Sequence, residues 1–156
     1  MTDVRLEAMT DEQYRIYRAY AEEDYARNIA KSGAMSMADA VQKAVDDFAR
    51  LHPDGLATPD DLLWVAYDGD VEVGMLGVRL QHRSDGLHAF GFDFRVYSQL
   101  RRRGYGRAIM VAAEQICRER DVVSIGLNVF GFNTGARSLY EQMGFEITSI
   151  QMNKRL

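Results

Sequence analysis

The sequence predicts one domain over residues 1–156, mixed α/β of the α+β kind, with helices flanking a mixed sheet. In the N-terminal third, apolar residues recur at steps of three or four, the period of a helix. Residues 62–96 alternate β-forming runs with tight-turn dipeptides, as in an antiparallel meander. Residues 92–129 read strand, helix, strand, which demands a right-handed crossover and makes the two strands parallel. A length of 156 residues suits a single core.

Each element has a local reason. Val4 to Met9 alternates weakly and is expected as an edge strand. Thr10 and Gln13 form a capping-box pattern ahead of a helix whose face is Tyr14, Tyr17, Ala21, Tyr25 and Ile29, with Gly33 as its stop. Ser36 caps a second helix, with Met37, Val41, Val45, Phe48 and Leu51 on one face and His52-Pro53 as terminator. Residues 53–61, PDGLATPDD, are a loop. Leu62 to Tyr67 is a strand, Asp68-Gly69 a hairpin turn, and Val71 to Leu80 the return. Gly74 and Gly77 inside that return predict a bulge or a close backbone approach. Ser84-Asp85-Gly86 turns the chain into a strand over Leu87 to Val96. A helix carrying Ala108, Ile109, Val111, Ala112, Ile116 and Cys117 runs to about Arg120, with Asp121 outside it. A strand follows over Val122 to Val129, then a short helix over Asn133 to Met143 stopped by Gly144. A last strand is expected over Phe145 to Asn153.

Composition narrows the function classes. Hydrophobic content of 47% and charged content of 27% are those of a soluble globular chain. The single cysteine, Cys117, excludes an internal disulfide framework and a multi-cysteine zinc site, and no metal is expected. The polar, acidic first residues read as neither signal nor transit peptide, and no apolar run approaches the roughly 18 residues of a membrane span. A cytoplasmic protein without a membrane partner fits that usage. Residues 1–61 carry 13 acids against 7 bases and the remainder 10 against 12, within a net charge of −4. An acidic first part suits a cationic acceptor, and a basic second part suits a phosphorylated cofactor. The overall negative charge argues against nucleic acid, because the only basic run is Arg101, Arg102, Arg103 and Arg107. Exposed strand edges allow a homodimer.

Residues 92–107, FDFRVYSQLRRRGYGR, put a glycine-bearing turn between a strand and a helix. The first helical N–H groups and the helix dipole then converge on a spot that attracts an anion, and Gly104 and Gly106 let a phosphate approach the backbone. The turn fits R/Q-x-x-G-x-G/A throughout, and residues 133–145, NTGARSLYEQMGF, fit N-x-x-A-x-x-L-Y-x-x-x-G-F at each fixed position. Together, in this order and separation, they resemble the two signatures of the GNAT-type N-acetyltransferases. Residues 25–58 look like those of small bacterial members whose acceptors are mostly unassigned. Two departures stand out. Gln99 occupies the place of a common proline, and only about a dozen residues follow Gly144, which leaves room for one closing strand.

The resemblance implies a GNAT fold whose central parallel strands splay apart at the cofactor. It implies acetyl-coenzyme A as co-substrate and a small-molecule or peptide amine as acceptor, attacking directly without an acyl-enzyme. Phe94, Arg95 and Val96 would line the thioester, with the Val96 N–H polarising its carbonyl. Arg101, Arg102, Arg103, Gly104, Tyr105, Gly106 and Arg107 would hold the pyrophosphate. Asn133 and Ala136 would meet the pantetheine arm, and Tyr140 would protonate the departing thiolate. The base is open among Asp93, the acids Glu22, Glu23 and Asp24, and a water chain. Two other readings are a non-catalytic acyl-coenzyme A sensor on the same fold and a polyanion-binding adaptor using Arg101 to Arg107.

Overall fold

The computed structural model describes residues 2–156. The chain divides into two compact units, one comprising residues up to Asp11 with Asp54–Asn128, the other Glu12–Pro53 with Val129–Leu156. No helix among the described residues is long and apolar enough to cross a membrane.

The first unit is a five-stranded sheet with one long helix. Its strands are β1 (Arg5–Ala8), β2 (Asp61–Asp68), β3 (Val71–Arg83), β4 (Gly86–Val96) and β5 (Val122–Leu127), in spatial order β1-β2-β3-β4-β5. The first four run antiparallel, and β5 lies parallel to β4. The helix between β4 and β5 spans Tyr105–Glu119 (α3 in chain order, after α1 and α2 of the second unit). Its Ile109, Ala113 and Cys117 are buried with Val4, Trp64, Ala66, Val73, Leu76, Val78 and Ala89 to form the core of this unit. Burial pushes the Cys117 thiol up, so it stays a neutral apolar packer.

Both strand glycines expected at close approaches are there for that reason. A methyl group at Gly74 would run into the carbonyl oxygen of Arg95, and one at Gly77 into the Phe92 ring. The β3–β4 register also shifts between Gly77 and Val78. Both predicted hairpin turns form, with Gly69 at φ +59° and Gly86 at φ +137°.

The second unit holds α1 (Asp11–Lys31), α2 (Met37–Leu51) and α4 (Thr134–Gln142). Gly33, at φ +80°, follows α1, and its N–H donates to the Ala30 carbonyl. Ser36 caps α2 as predicted, its Oγ accepting the Asp39 N–H at 3.2 Å. The buried face of α2 differs from the expectation: Ala40, Ala44 and Phe48 are buried, whereas Met37, Val41 and Val45 are exposed. Small alanines let Ala26 and Ile29 of α1 come close, and this pairing forms the core of the unit. Residues 145–153 form no strand, which corrects the expectation of a final one. Ile147, Ile150 and Met152 there are exposed.

Candidate active site

The predicted pyrophosphate turn closes around one left-handed glycine. A single turn of 3-10 helix, Ser98–Leu100, follows β4, and the chain then passes through Arg101, Arg102 (φ +63°) and Arg103. Gly104 is the N-cap of α3 at φ +86°, ψ −2°, and no side chain caps this helix. The first-turn N–H groups of Tyr105 and Gly106 have no acceptor within the helix, because an α-helix provides none at its start. The dipole adds partial positive charge at the same place. Arg101, Arg102, Arg103 and Arg107 are all exposed around it. Two hydrogen bonds fix the turn to the sheet. Arg101 Nε donates to the Val96 carbonyl at 3.0 Å, and the Tyr105 hydroxyl donates to Asp68 Oδ2 at 2.7 Å. Donation to that carboxylate holds the Tyr105 phenol above its ordinary value. Nothing local pointed to Asp68, which lies 37 residues from Tyr105 in sequence.

The end of β4 supplies the second feature. Pairing with β5 runs from Leu87↔Val122 to Gly91↔Leu127 and stops. From Phe92 to Val96, β4 therefore has a strand neighbour only on its β3 side. The parallel neighbour of residues 92–96 expected from the sequence instead lies against residues 87–91. The orientation of Val96 follows from the ladder. Gly74 is its partner on β3, and the Tyr97 N–H donates to the Val73 carbonyl at 3.0 Å. Such a hydrogen bond makes Gly74/Val96 a non-hydrogen-bonded antiparallel pair, so the N–H and carbonyl of Val96 both point away from β3. The carbonyl is taken by Arg101, and the N–H faces the side that β5 has left.

Asp93 and Arg95 share a face of β4, two residues apart. Their side chains are 17% and 20% exposed and form a two-point ion pair, Nε to Oδ1 at 3.3 Å and Nη2 to Oδ2 at 3.2 Å. Asp93 is thus a partly buried carboxylate held by a guanidinium rather than a solvated acid.

The remaining predicted residues lie on the second unit. Asn133 caps α4, its Oδ1 accepting the Ala136 N–H at 3.2 Å. Ala136 is half-buried and Tyr140 buried, with the Tyr140 ring 5.5 Å from that of Phe145. The Phe145 N–H donates to the Tyr140 carbonyl as the chain leaves the helix through Gly144 at φ +92°. Of the acids on α1, Glu22 and Glu23 lie with Arg18, Ala19, Ala26 and Val41 around a cavity of about 200 Å³. Glu22 pairs with Arg18 at 3.7 Å, and Asp24 accepts from Asn28 at 3.3 Å.

Comparison with known proteins bears on the family and the fold. The chain is 33% identical over 154 residues to the uncharacterized N-acetyltransferase YycN of Bacillus subtilis, covering 98% of this chain and 99% of that one. It is 26% identical over 152 residues to a second B. subtilis protein, the uncharacterized N-acetyltransferase YdgE, covering 97% of each. The crystal structure of YycN superposes with a TM-score of 0.92 over 98% of both chains. A GCN5-related N-acetyltransferase from Ralstonia eutropha shares the fold, with a TM-score of 0.70 at 18% identity over 98% of each chain. The profile of the acetyltransferase (GNAT) family spans residues 14–145, taking in the Gly104 turn, the open end of β4 and α4. On that match and on the YycN likeness, this chain belongs to the acetyltransferase (GNAT) family.

Proposed function

We propose that residues 1–156 act as one N-acetyltransferase domain that uses acetyl-coenzyme A to acetylate a primary amine by direct attack. The observation that carries this reading is the Val96 N–H, aimed away from β3 where β4 has lost its parallel neighbour. An N–H held in that position can donate to a thioester carbonyl, and more strongly to the oxyanion that develops there, without reorganising.

The turn at Gly104 fits a pyrophosphate by the chemistry of its donors: uncapped N–H groups, a helix N-terminus and arginines on a backbone that carries no Cβ at its N-cap. Acetyl-coenzyme A, when bound, supplies the acetyl group and a thiolate leaving group. Phe94, Arg95 and Val96 line the acyl end, residues 101–107 hold the phosphates, and Asn133 and Ala136 meet the pantetheine arm. Tyr140 gives its phenolic proton to the departing thiolate, and the reference values of about 10 and 8.5 are close enough for that transfer.

Asp93 is the candidate acceptor of the amine proton. Its two-point pairing with Arg95 fixes the orientation of its carboxylate on the face of β4. Delivery through water, or through an acid on α1, performs the same step. The acceptor is a small molecule or peptide bearing a primary amine, for which acids such as Glu22 and Glu23 supply matching charge.

Tyr140→Phe tests the acid. Turnover should fall by about two orders of magnitude, while acetyl-coenzyme A affinity holds. The ring keeps its packing on Phe145, so stability should drop by about 1 kcal/mol or less. Thiol release measured across pH on an amine panel reads this out. A folded variant with an unchanged rate and pH profile overturns the assignment.

A further inference from the structure

At the other end of β4 stands a polar arrangement that the acetyl-transfer chemistry does not use. His88 is buried at 8% exposure, and its two ring nitrogens face two different partners. Nε2 lies 2.9 Å from Asp85 Oδ1, and Nδ1 lies 2.5 Å from Ser124 Oγ. Asp85 comes from the β3–β4 turn and Ser124 from β5, which the parallel register sets directly beside His88.

The protonation pattern follows from the partners. An ionised carboxylate only accepts hydrogen bonds, so Nε2 of the neutral ring carries the hydrogen and donates to Asp85. The hydrogen bond from His88 holds the Asp85 carboxyl below its ordinary range, which keeps it ionised. Nδ1 is then the lone-pair nitrogen and accepts the Ser124 hydroxyl proton. Hydroxyl, imidazole and carboxylate in this sequence are the parts of an activated serine, which is recognised by geometry and roles rather than by position in the chain.

Two further features favour chemistry at Ser124. The residue is exposed, whereas the imidazole behind it is buried and held at both nitrogens. β5 is also the last strand of the sheet. The register slips by one residue at Val123 and is regular from Ser124 to Leu127, where hydrogen bonding alternates, so an outward N–H occurs at either Ser124 or Ile125. A donor for a developing oxyanion is therefore within one residue of the nucleophile. Gly86 keeps the geometry tight, because a Cβ there would stand 3.2 Å from Val123 Cγ1.

We propose that Ser124, His88 and Asp85 form a second nucleophilic site, separate from acetyl transfer, that takes an acyl group from small activated esters. Ser124 Oγ bonds to the ester carbonyl carbon as its proton passes to His88 Nδ1. The carbon–oxygen bond to the leaving alcohol then breaks, and that alcohol takes the proton from His88. Water attacks the acyl-serine with His88 again as base, releasing a carboxylic acid and restoring Ser124. The site lies eight residues from Val96 along β4, roughly 25 Å at the strand rise of about 3.3 Å per residue. It is thus remote from the thioester end and independent of the function proposed above.

The test uses the full chain with two probes, a fluorophosphonate and p-nitrophenyl acetate. Intact mass and peptide mapping should find one phosphonyl adduct, on Ser124. Ser124→Ala should abolish it, and His88→Gln and Asp85→Asn should each slow it at least tenfold, with ester hydrolysis falling in parallel. Asp85 is 71% exposed at the side chain, so Asp85→Asn keeps the fold even where His88→Gln does not. Tyr140→Phe should label at the wild-type rate, which separates this site from acetyl transfer. No adduct on Ser124 in excess probe, or equal labelling of wild type and Asp85→Asn, overturns the proposal.

Discussion

Replacing Gly104 by alanine separates the conformational role of this residue from its role at the ligand. Gly104 sits at φ +86° and ψ −2°, and an added Cβ would meet only Thr2 Oγ1, at an ordinary 3.6 Å. The cost is therefore torsional and not steric. A left-handed conformation costs an L-residue about 1–2 kcal/mol. Restricting the unfolded chain returns about 0.4–1 kcal/mol. The net loss is about 1 kcal/mol, or a fall of about 2–4 °C in melting temperature for a chain of this size. Gly33→Ala is the matched control: φ is +80°, nothing lies within 4 Å of the added Cβ, and the residue is remote in sequence from the Gly104 turn. Both variants should melt lower by the same amount. Only Gly104→Ala should weaken acetyl-coenzyme A, at least tenfold, or about 1.4 kcal/mol, because the proposed pyrophosphate site requires a phosphate oxygen to approach where its methyl would stand. Thermal melts give the first quantity and calorimetric titration the second. A variant destabilised as expected but binding within twofold of wild type would place the pyrophosphate elsewhere. A Gly104→Ala protein as stable as wild type would refute the left-handed cap itself.

Other perturbations bear on the framework. Asp61 is 1% exposed at its side chain and receives Arg79 at 2.6 and 2.7 Å, so Arg79→Met removes the guanidinium from a buried carboxylate and should cost about 3–5 kcal/mol. The double variant with Asp61→Leu should recover at least 1 kcal/mol of that in urea melts, and strict additivity would refute the pairing. In the second unit, burial opposes ionisation of Asp47, yet hydrogen bonds from Lys43, Arg50 and Tyr25 outweigh it and hold its carboxyl below the ordinary 3.8. That contribution is complete above pH 3.8 and is lost as pH falls through the lower, folded-state value. Asp47→Asn should accordingly flatten the acid side of the stability curve; parallel curves for wild type and variant would count against it. Gly74→Ala should destabilise by about 1–3 kcal/mol through overpacking against the Arg95 carbonyl and should also disturb Val96 opposite. A variant with normal melting and normal turnover would show that β3 and β4 have room to part.

Local chemistry determined what the sequence alone could give. Asp68-Gly69 turns, Ser36 and Asn133 cap, and Gly33 and Gly144 end their helices because each acts on backbone within a few residues. Both family signatures are of this short-range kind, so the glycine turn ahead of α3 and the helix α4 were legible before any fold was known. Partners distant in sequence required the tertiary structure. Where β5 stops against β4 is a matter of register, and it decides that Val96 rather than Gly91 stands at an open edge. Which side of α2 is buried depended on what packs there, and Ala40 and Ala44 won over the larger Val41 and Val45 by allowing a closer approach. Residues 145–153, expected as a strand, form none, since a strand exists only where another chain segment completes its hydrogen bonds. The pairing of His88 with Ser124, 36 residues apart, has the same origin: parallel neighbours meet through a crossover, and no local pattern records which residues end up side by side.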